Sequence, residues 1–316
     1  MSLPSQFENR LKLPLVVAPM FLASGTQLVT ESCKAGVVGT FPALNQRSSE
    51  GFEEWLIEIK AELARIEQTS GQKPAPYGVN LIVHKSNPRL AADLALCVKH
   101  EVPLVITSLG ADSSVVDTIH SYGGLVFHDV VNARHAKKAA AAGVDGLIAV
   151  AAGAGGHTGY LSPFVFVNEI RQFWDGLLIL GGGISSGNSI HAAQIMGADL
   201  AYLGTSFIPT EESMAAEGYK AMVVDATADD IVTSDSITGV KANWLRQSLV
   251  NGGYDPDNMP AQGEIDFAKQ GADNKRWKDI WAAGQGVGAT KALTDVAAVV
   301  DRLAAEYGAS IKRAAA

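Results

Sequence analysis

Short apolar runs that stop at Gly, Pro, Ser or Asn alternate with segments of helical period along the first two thirds of the chain. Eight runs of this kind lie at residues 15–20, 37–41, 78–83, 104–108, 125–129, 146–151, 177–181 and 200–205. Apolar residues on both faces are typical of buried parallel strands. Eight strands alternating with helices predict an α/β fold, a (β/α)8 barrel. The alternative is a doubly wound sheet, which usually has fewer strands and a nucleotide fingerprint after the first.

The pattern changes after Phe207. Residues 211–285 contain helical pieces separated by a loop rich in Gly, Asn, Asp and Pro, and they show no further buried strand. An amphipathic stretch from Leu293 to Tyr307 then predicts a final helix against the barrel wall. We therefore predict that residues 1–210 and 286–316 form the barrel, with residues 211–285 as a small inserted helical domain or lid.

Composition and charge limit the classes of partner. The 316 residues carry a net charge of -8, which argues against a nucleic-acid surface. The two cysteines, Cys33 and Cys97, lack the paired spacing of a zinc or redox motif, and no His/Asp/Glu cluster has metal-ligand spacing. The N-terminus does not have the order of a signal peptide, and no apolar stretch approaches about 18 residues. We therefore expect a cytoplasmic protein without a metal ion and without nucleic-acid or membrane partners.

Two glycine-rich loops predict a phosphate site. In such barrels ligands lie at the C-terminal ends of the strands, and phosphate is commonly held after strands seven and eight. Backbone N–H groups, the hydroxyls of Thr205 and Ser185, and a helix beginning near Ser186 suit a dianion there. Because neither loop fits the dinucleotide fingerprint, a mononucleotide such as FMN is the better fit, and tight turns without a ligand are the alternative. The glycines concerned are Gly181, Gly182, Gly183 and Gly204.

Other strand ends direct polar groups toward the same mouth. The first strand offers backbone groups, and an amide within the third strand has the donor and acceptor that match the edge of an isoalloxazine ring. Each side chain could instead be a satisfied core residue facing inward. The residues are Ala18, Pro19, Met20, Asn80, Ser108, His128 and Asp129.

His157 is the candidate catalytic residue among seven histidines. It follows Gly155 and Gly156 at the end of a predicted strand, whereas most of the others fall on predicted outer helices. A neutral imidazole there could take a proton from an acidic carbon or donate a hydrogen bond to an anionic oxygen near pH 7. The alternative is a histidine that hydrogen-bonds only the loop backbone.

Several motifs, in order from about residue 13 to 290, together resemble the nitronate monooxygenase family, formerly called 2-nitropropane dioxygenases. They are Ala18-Pro19-Met20, the segment 26–35 followed by Gly36, Gly78-Val-Asn-Leu81, Ala154-Gly155-Gly156-His157, Gly181-Gly182-Gly183-Ile184, Leu203-Gly204-Thr205 and Trp281-Ala-Ala-Gly-Gln285. The resemblance implies a TIM barrel with noncovalent FMN, which oxidises alkyl nitronates with O2 to a carbonyl compound and nitrite. It also implies a homodimer.

The resemblance assigns roles to residues of these motifs. His157 would deprotonate a neutral nitroalkane or hold the nitro oxygens, and Asn80 would contact the flavin ring. Gly155, Gly156 and Gln285 lie in the family's motifs and are implied to contact the cofactor. The phosphate would be bound by Gly181, Gly182, Gly183, Gly204 and Thr205.

The sequence departs from the family pattern at two places. Relatives often carry Gln-Gly-x-Glu where this chain reads Val150-Ala-Ala-Gly153, and a lysine is expected where it reads His128-Asp129. The same flavin group contains NAD(P)H:quinone reductases and FMN-dependent enoyl-acyl carrier protein reductases. An NAD(P)H-dependent FMN reductase of quinones or enoyl thioesters is therefore the alternative enzyme, and a noncatalytic flavin- or phosphate-binding barrel is the alternative from another class.

Overall fold

Eight parallel strands form the barrel in the computed structural model, which describes residues 3–260 and 280–315. The strands are β1 (Leu15–Val17), β2 (Gly39–Pro42), β3 (Tyr77–Ile82), β4 (Leu104–Ser108), β5 (Leu125–Val130), β6 (Gly146–Val150), β8 (Leu177–Gly181) and β9 (Leu200–Leu203). Their order is β1-β9-β8-β6-β5-β4-β3-β2. A parallel bridge between Val16 of β1 and Val38, the residue before β2, closes the barrel. The eight predicted strands and the (β/α)8 barrel are confirmed.

Helices alternate with these strands and cover the outside of the barrel. They are α1 (Thr26–Lys34), α2 (Ser49–Ser70), α3 (Leu90–Lys99), α4 (Ser113–His120), α5 (Ala133–Ala141), α6 (Pro163–Arg171), α7 (Gly187–Met196) and α10 (Val296–Ala314). Side-chain caps fix several starts; for example, Asp112 accepts from the Ser114 N–H ahead of α4. Within the described ranges, no helix combines the length and the apolar character that crossing a membrane requires.

Strand alternation divides the core into an inner and an outer layer. Ile106, Phe127, Ile148 and Ile179 fill the barrel interior. Residues one position along, such as Val105 and Val126, pack outward against the helices. Phe7 joins the inner cluster and stacks on Phe127 with ring centroids 6.1 Å apart, so the N-terminal segment closes the end opposite the C-terminal strand ends.

A second, smaller sheet stands over the C-terminal strand ends. Its strands are β7 (Gly156–His157), β10 (Ile231–Ser234) and β11 (Ala242–Leu245), with β11 in the centre of an antiparallel arrangement. Two helices, α8 (Glu217–Asp225) and α9 (Arg246–Asn251), flank it.

This small sheet corrects one expectation for residues 211–285. The prediction of no further buried strand is wrong, because all four residues of β11 are buried. β11 forms because its edges pair with β10 and, across a long sequence separation, with the loop strand β7. The division into barrel and insert stays a prediction, and residues 261–279 lie outside the described part of the chain.

Candidate active site

Three polar side chains form a hydrogen-bonded chain at the inner C-terminal ends of β3, β4 and β5. Asn80 Nδ2 donates to Ser108 Oγ at 2.7 Å, and Ser108 Oγ donates to Asp129 Oδ2 at 2.6 Å. Asn80 Nδ2 also donates to the Ile106 carbonyl at 3.2 Å, so its amide plane is fixed. The structure therefore brings together three of the polar residues that the sequence predicts at the strand ends, Asn80, Ser108 and Asp129.

Asp129 ends this chain with one oxygen lacking a donor. Oδ1 is sealed from solvent and has no hydrogen-bond partner among the described residues. Burial raises the pKa of the Asp129 carboxyl to about 6, although the hydrogen bond from Ser108 acts in the opposite direction. Tyr202, which faces the same interior from β9, has its pKa raised by burial and by Asp129.

His128 lies on the opposite face of β5 from Asp129. Its Nδ1 is 2.7 Å from Thr107 Oγ1, and both side chains are buried in the layer between strands and helices. Burial, followed by the charges of His135 and Lys138, lowers the pKa of His128 to about 4. The structure therefore does not bring the His128 side chain to the predicted ligand site, because successive strand residues point to opposite faces.

His157 is held at the rim of the barrel by the small sheet. Gly156 and His157 form β7, whose register places His157 opposite Ala242 of β11. Asn243, which is 1% exposed, donates from Nδ2 to the Ala154 carbonyl at 2.7 Å and fixes the preceding loop. Burial lowers the pKa of His157 to about 4, so the imidazole is neutral at pH 7.

Three glycine-rich segments converge on the carbonyl of Gly153. This oxygen accepts from the Gly183 N–H at 3.3 Å and from the Gln285 N–H at 2.9 Å. The adjacent Gly284 N–H donates to Thr205 Oγ1 at 2.9 Å. The loops after β6, β8 and β9 and the segment at 284–285 are thus one connected structure at the strand ends.

The glycines of these loops serve two different purposes. A Cβ on Gly155 would lie 2.7 Å from the Gly284 nitrogen, and one on Gly284 would lie 2.7 Å from the Gly153 oxygen. These glycines permit backbone segments to approach one another. Gly156 and Gly183 instead combine positive φ angles of 66° and 69° with no atom within 4 Å of an added Cβ, so they border open space.

The N-terminus of α7 is largely capped by the protein itself. The N–H groups of Ser185 and Ser186 donate to Ser189 Oγ at 3.1 and 3.0 Å. The Gly187 N–H donates to Glu306 Oε2 at 2.8 Å, which places a carboxylate at this helix end. These N–H groups are therefore already engaged within the protein, and the glycine loops and Thr205 stay the predicted phosphate ligands.

The loop after β1 lies beside the loop after β9. Ala18 N–H donates to the Leu203 carbonyl at 2.8 Å, and a Cβ on Gly204 would lie 3.2 Å from the Met20 sulfur. Asn45 Nδ2 donates to the Met20 carbonyl at 3.1 Å and holds this loop in place. Pro19 lies between these anchored residues, so the predicted segment 18–20 borders the site.

Sequence reasoning missed three residues of this region. Asn45 and Asn243 act through hydrogen bonds to loops far away along the chain, which no local pattern reveals. Tyr202 could have been found, because it lies two positions after Leu200 on the eighth barrel strand and therefore shares its inward face, whereas Ala201 and Leu203 face outward. Gly181 packs against the same side chain, since an added Cβ would lie 3.1 Å from the Tyr202 ring.

The family profile described as nitronate monooxygenase matches residues 41–306. A curated relative, the nitronate monooxygenase of Paraburkholderia phytofirmans, is 27% identical over 77% of this chain and 76% of its own length. The Mycobacterium tuberculosis protein Rv1533, provisionally named a monooxygenase, is 30% identical over 60% of this chain and 55% of its own.

Structural similarity extends over nearly the whole chain. The crystal structure of nitroalkane oxidase from Streptomyces ansochromogenes superimposes with a TM-score of 0.79 at 23% identity, covering 98% of this chain and 100% of that one. At this identity the likeness concerns the fold. The match spans 55% of Rv1533, and 64% and 66% of two further curated relatives, so the chain spans about half to two thirds of their lengths.

Proposed function

Because the chain belongs to the nitronate monooxygenase family, we propose that it is an FMN-dependent enzyme that oxidises alkyl nitronates with O2 to a carbonyl compound and nitrite. The family consists of flavin-dependent oxidoreductases. The single observation that carries this function is the position of a neutral His157 at the rim, beside the glycine segments joined at the Gly153 carbonyl. This arrangement combines a proton-handling group with open space beside Gly156 and Gly183 at the strand ends.

The residues present fit FMN. Gly156 and Gly183 border open space, and Asp129 Oδ1 is a buried polar atom that needs a partner. In this proposal Asn80 faces the flavin ring, and FMN, when bound, exchanges electrons between the substrate and O2. The phosphate is held by Gly181, Gly182, Gly183, Gly204 and Thr205, with the backbone of Ala18, Pro19 and Met20 and of Gln285 along the edges.

The low pKa of His157 determines whether this residue is better suited to a nitronate or to a neutral nitroalkane as substrate. An imidazole with a pKa of about 4 is neutral at pH 7 and is a weak base. It can donate one hydrogen bond to a nitro oxygen of a preformed nitronate at no cost in protonation. To remove a proton from a neutral nitroalkane, His157 would need a pKa that rises on substrate binding. We therefore expect nitronates to be preferred over nitroalkanes.

Asp129 favours a second candidate function. A carboxylate at the inner strand ends opposes binding of an anionic substrate above its pKa of about 6. A neutral quinone or enoyl thioester does not meet this repulsion. An NAD(P)H-dependent FMN reductase of such substrates is therefore the second candidate, and it predicts bleaching of the flavin by NAD(P)H without any nitronate.

Oxygen uptake distinguishes the candidates. The purified protein with bound FMN is given an alkyl nitronate without NAD(P)H, and O2 consumption and nitrite are recorded. We expect rapid uptake in the wild type and a loss of about 100-fold or more in His157→Ala. His120→Ala is the matched control, because His120 lies at the C-terminal end of α4 and contacts Asp145.

The other results of this oxygen-uptake experiment support different functions. Uptake that persists in His157→Ala removes the catalytic role of this residue. An absence of uptake with bound FMN, together with bleaching by NAD(P)H, supports the reductase. Bound FMN with neither reaction indicates a noncatalytic flavin-binding barrel.

A further inference from the structure

Asp129 is a titratable group to which the proposed reaction assigns no step. The hydrogen bonds that reach it run in one direction, from Asn80 Nδ2 to Ser108 Oγ and from Ser108 Oγ to Asp129 Oδ2. A serine hydroxyl carries one proton, and here that proton is directed to Oδ2. Ser108 therefore has no donor left for Oδ1.

Oδ1 is consequently one of two buried carboxylate oxygens in the described residues without a hydrogen-bond partner, the other being Asp93 Oδ2 on an outer helix. It is sealed from solvent and has no partner among the described residues. A buried carboxylate oxygen without a donor penalises the charged form, which agrees with a pKa raised to about 6. Protonation at Oδ1 removes the charge that this burial penalises.

The groups that surround the carboxyl do not compensate its charge. Ser108 and Asn80 approach from β4 and β3, and Val150 belongs to the same interior layer on β6. Tyr202 on β9 is the titratable neighbour, and burial together with Asp129 keeps its hydroxyl protonated. No cation or second carboxylate in the described residues contributes to the pKa of Asp129. Negative charge that arises at the strand ends is therefore expected to act on Asp129.

We propose that Asp129 binds a proton when the bound flavin is reduced and so balances the negative charge that reduction adds at the strand ends. The reductant loses two electrons, the flavin gains these two electrons and one proton at the ring, and Asp129 gains a second proton from solvent. Asp129 is thus a charge-balancing residue, and reduction of the flavin is coupled to its protonation. This inference rests on the proposed binding of FMN.

The test is the pH dependence of the midpoint potential of the protein-bound FMN, measured with redox mediators over about pH 5 to 8.5. Its slope gives the number of protons bound per two electrons. In the wild type this number should rise by one as the pH rises through about 6, where Asp129 ionises in the oxidised protein. Ionisation of the reduced ring itself has the opposite sign, because it lowers the number as the pH rises.

Variants assign the extra proton to Asp129. In Asp129→Asn the rise should disappear, and in Ser108→Ala it should move to higher pH, because the lost hydrogen bond favoured the charged carboxyl. Asp117→Asn, an exposed carboxylate on α4, should behave as the wild type. Infrared difference spectra of reduction should show a protonated-carboxyl band in the wild type and no such band in Asp129→Asn.

The outcomes separate this inference from the proposed function. A protein that binds no FMN refutes both together. Bound FMN with a proton number that is constant or falls with pH refutes the inference only, as does a rise that persists in Asp129→Asn. If that variant does not fold, the wild-type infrared band and the Ser108→Ala shift decide, and the absence of either overturns the proposal.

Discussion

Asn243 of β11 donates a hydrogen bond of 2.7 Å to the carbonyl of Ala154, three residues before His157. Asn243 and Ala154 are 89 positions apart in the chain, so this bond connects the small sheet to the loop after β6. Thr233 Oγ1 in turn donates to Asn243 Oδ1 at 2.5 Å. The position of His157 therefore depends on a side chain outside the barrel strands.

Replacing Asn243 should loosen this loop. Asn243→Ala leaves the partly buried Ala154 carbonyl without its donor, which should lower the free energy of unfolding by about 1 kcal/mol. Nitronate turnover should fall more than FMN affinity, because the affected loop carries His157. Denaturant unfolding, FMN titration and oxygen uptake measure the three quantities. Asn251→Ala, at an exposed site on α9, is the control, and equal effects of both changes would contradict the assigned role.

Gly183 provides a test of the phosphate site that separates strain from ligand contact. Alanine at a φ of 69° should cost about 1 kcal/mol in stability, and its Cβ would project into the open space beside Gly183. If the FMN phosphate lies there, the dissociation constant of FMN should rise at least about tenfold.

The matched control is Gly71→Ala at the end of α2. Gly71 has a φ of 68° and likewise no atom within 4 Å of an added Cβ. It lies in the connection from α2 to β3, away from the C-terminal strand ends. Calorimetry should show a similar stability loss for both variants, and fluorescence titration should show weaker FMN binding for Gly183→Ala only. Unchanged FMN binding in Gly183→Ala would remove this glycine from the phosphate site.

His128 should make the protein sensitive to acid. Its pKa is about 4 in the folded protein against an ordinary value of 6.5, so the unfolded chain binds a proton first as the pH falls. The stabilising contribution is present above about pH 6.5 and is lost as the pH falls to about 4, by roughly 3 kcal/mol.

The variant His128→Gln should remove this dependence. The difference in unfolding free energy between variant and wild type should therefore shrink or reverse between about pH 6.5 and 4, as measured by urea denaturation. His157 and Asp129 are present in both proteins and cancel in the comparison, although Asp129 acts in the opposite direction because its pKa is raised. A difference that does not vary with pH would show that folding does not lower the pKa of His128.

The barrel could be predicted because its strands are apolar on both faces, which is a local signal. The face of each strand residue could also have been derived: Phe127 is apolar and inward, so alternation sends His128 outward and Asp129 inward. The apolar runs alone predict that the strands exist and not which residues face inward, so His128 and Asp129 are both expected at the site.

Contacts between distant segments could not be predicted in this way. β7 has only two residues, and it exists because β11 supplies its partner. The cap of Gly187 by Glu306 joins residues 119 positions apart, and its effect is to reduce the anion-binding capacity that the sequence predicts for α7. Such pairs depend on how the barrel closes, since the chain brings them together only after its helices have packed.

Thr205 links the proposed phosphate site to the segment that follows the small sheet. Its Oγ1 accepts from the Gly284 N–H at 2.9 Å, which leaves the hydroxyl proton for a ligand. Thr205→Val removes both interactions, so FMN affinity should fall about 10- to 100-fold, as expected for one hydrogen bond to a charged group, and the protein without FMN should also lose stability. Thr205→Ser keeps the hydroxyl and should bind FMN nearly as the wild type does. Isothermal titration of FMN into both variants tests this. If Thr205→Val lowers stability and leaves FMN affinity unchanged, the hydroxyl serves the Gly284 contact alone, and the phosphate must be held by the backbone of the glycine loops.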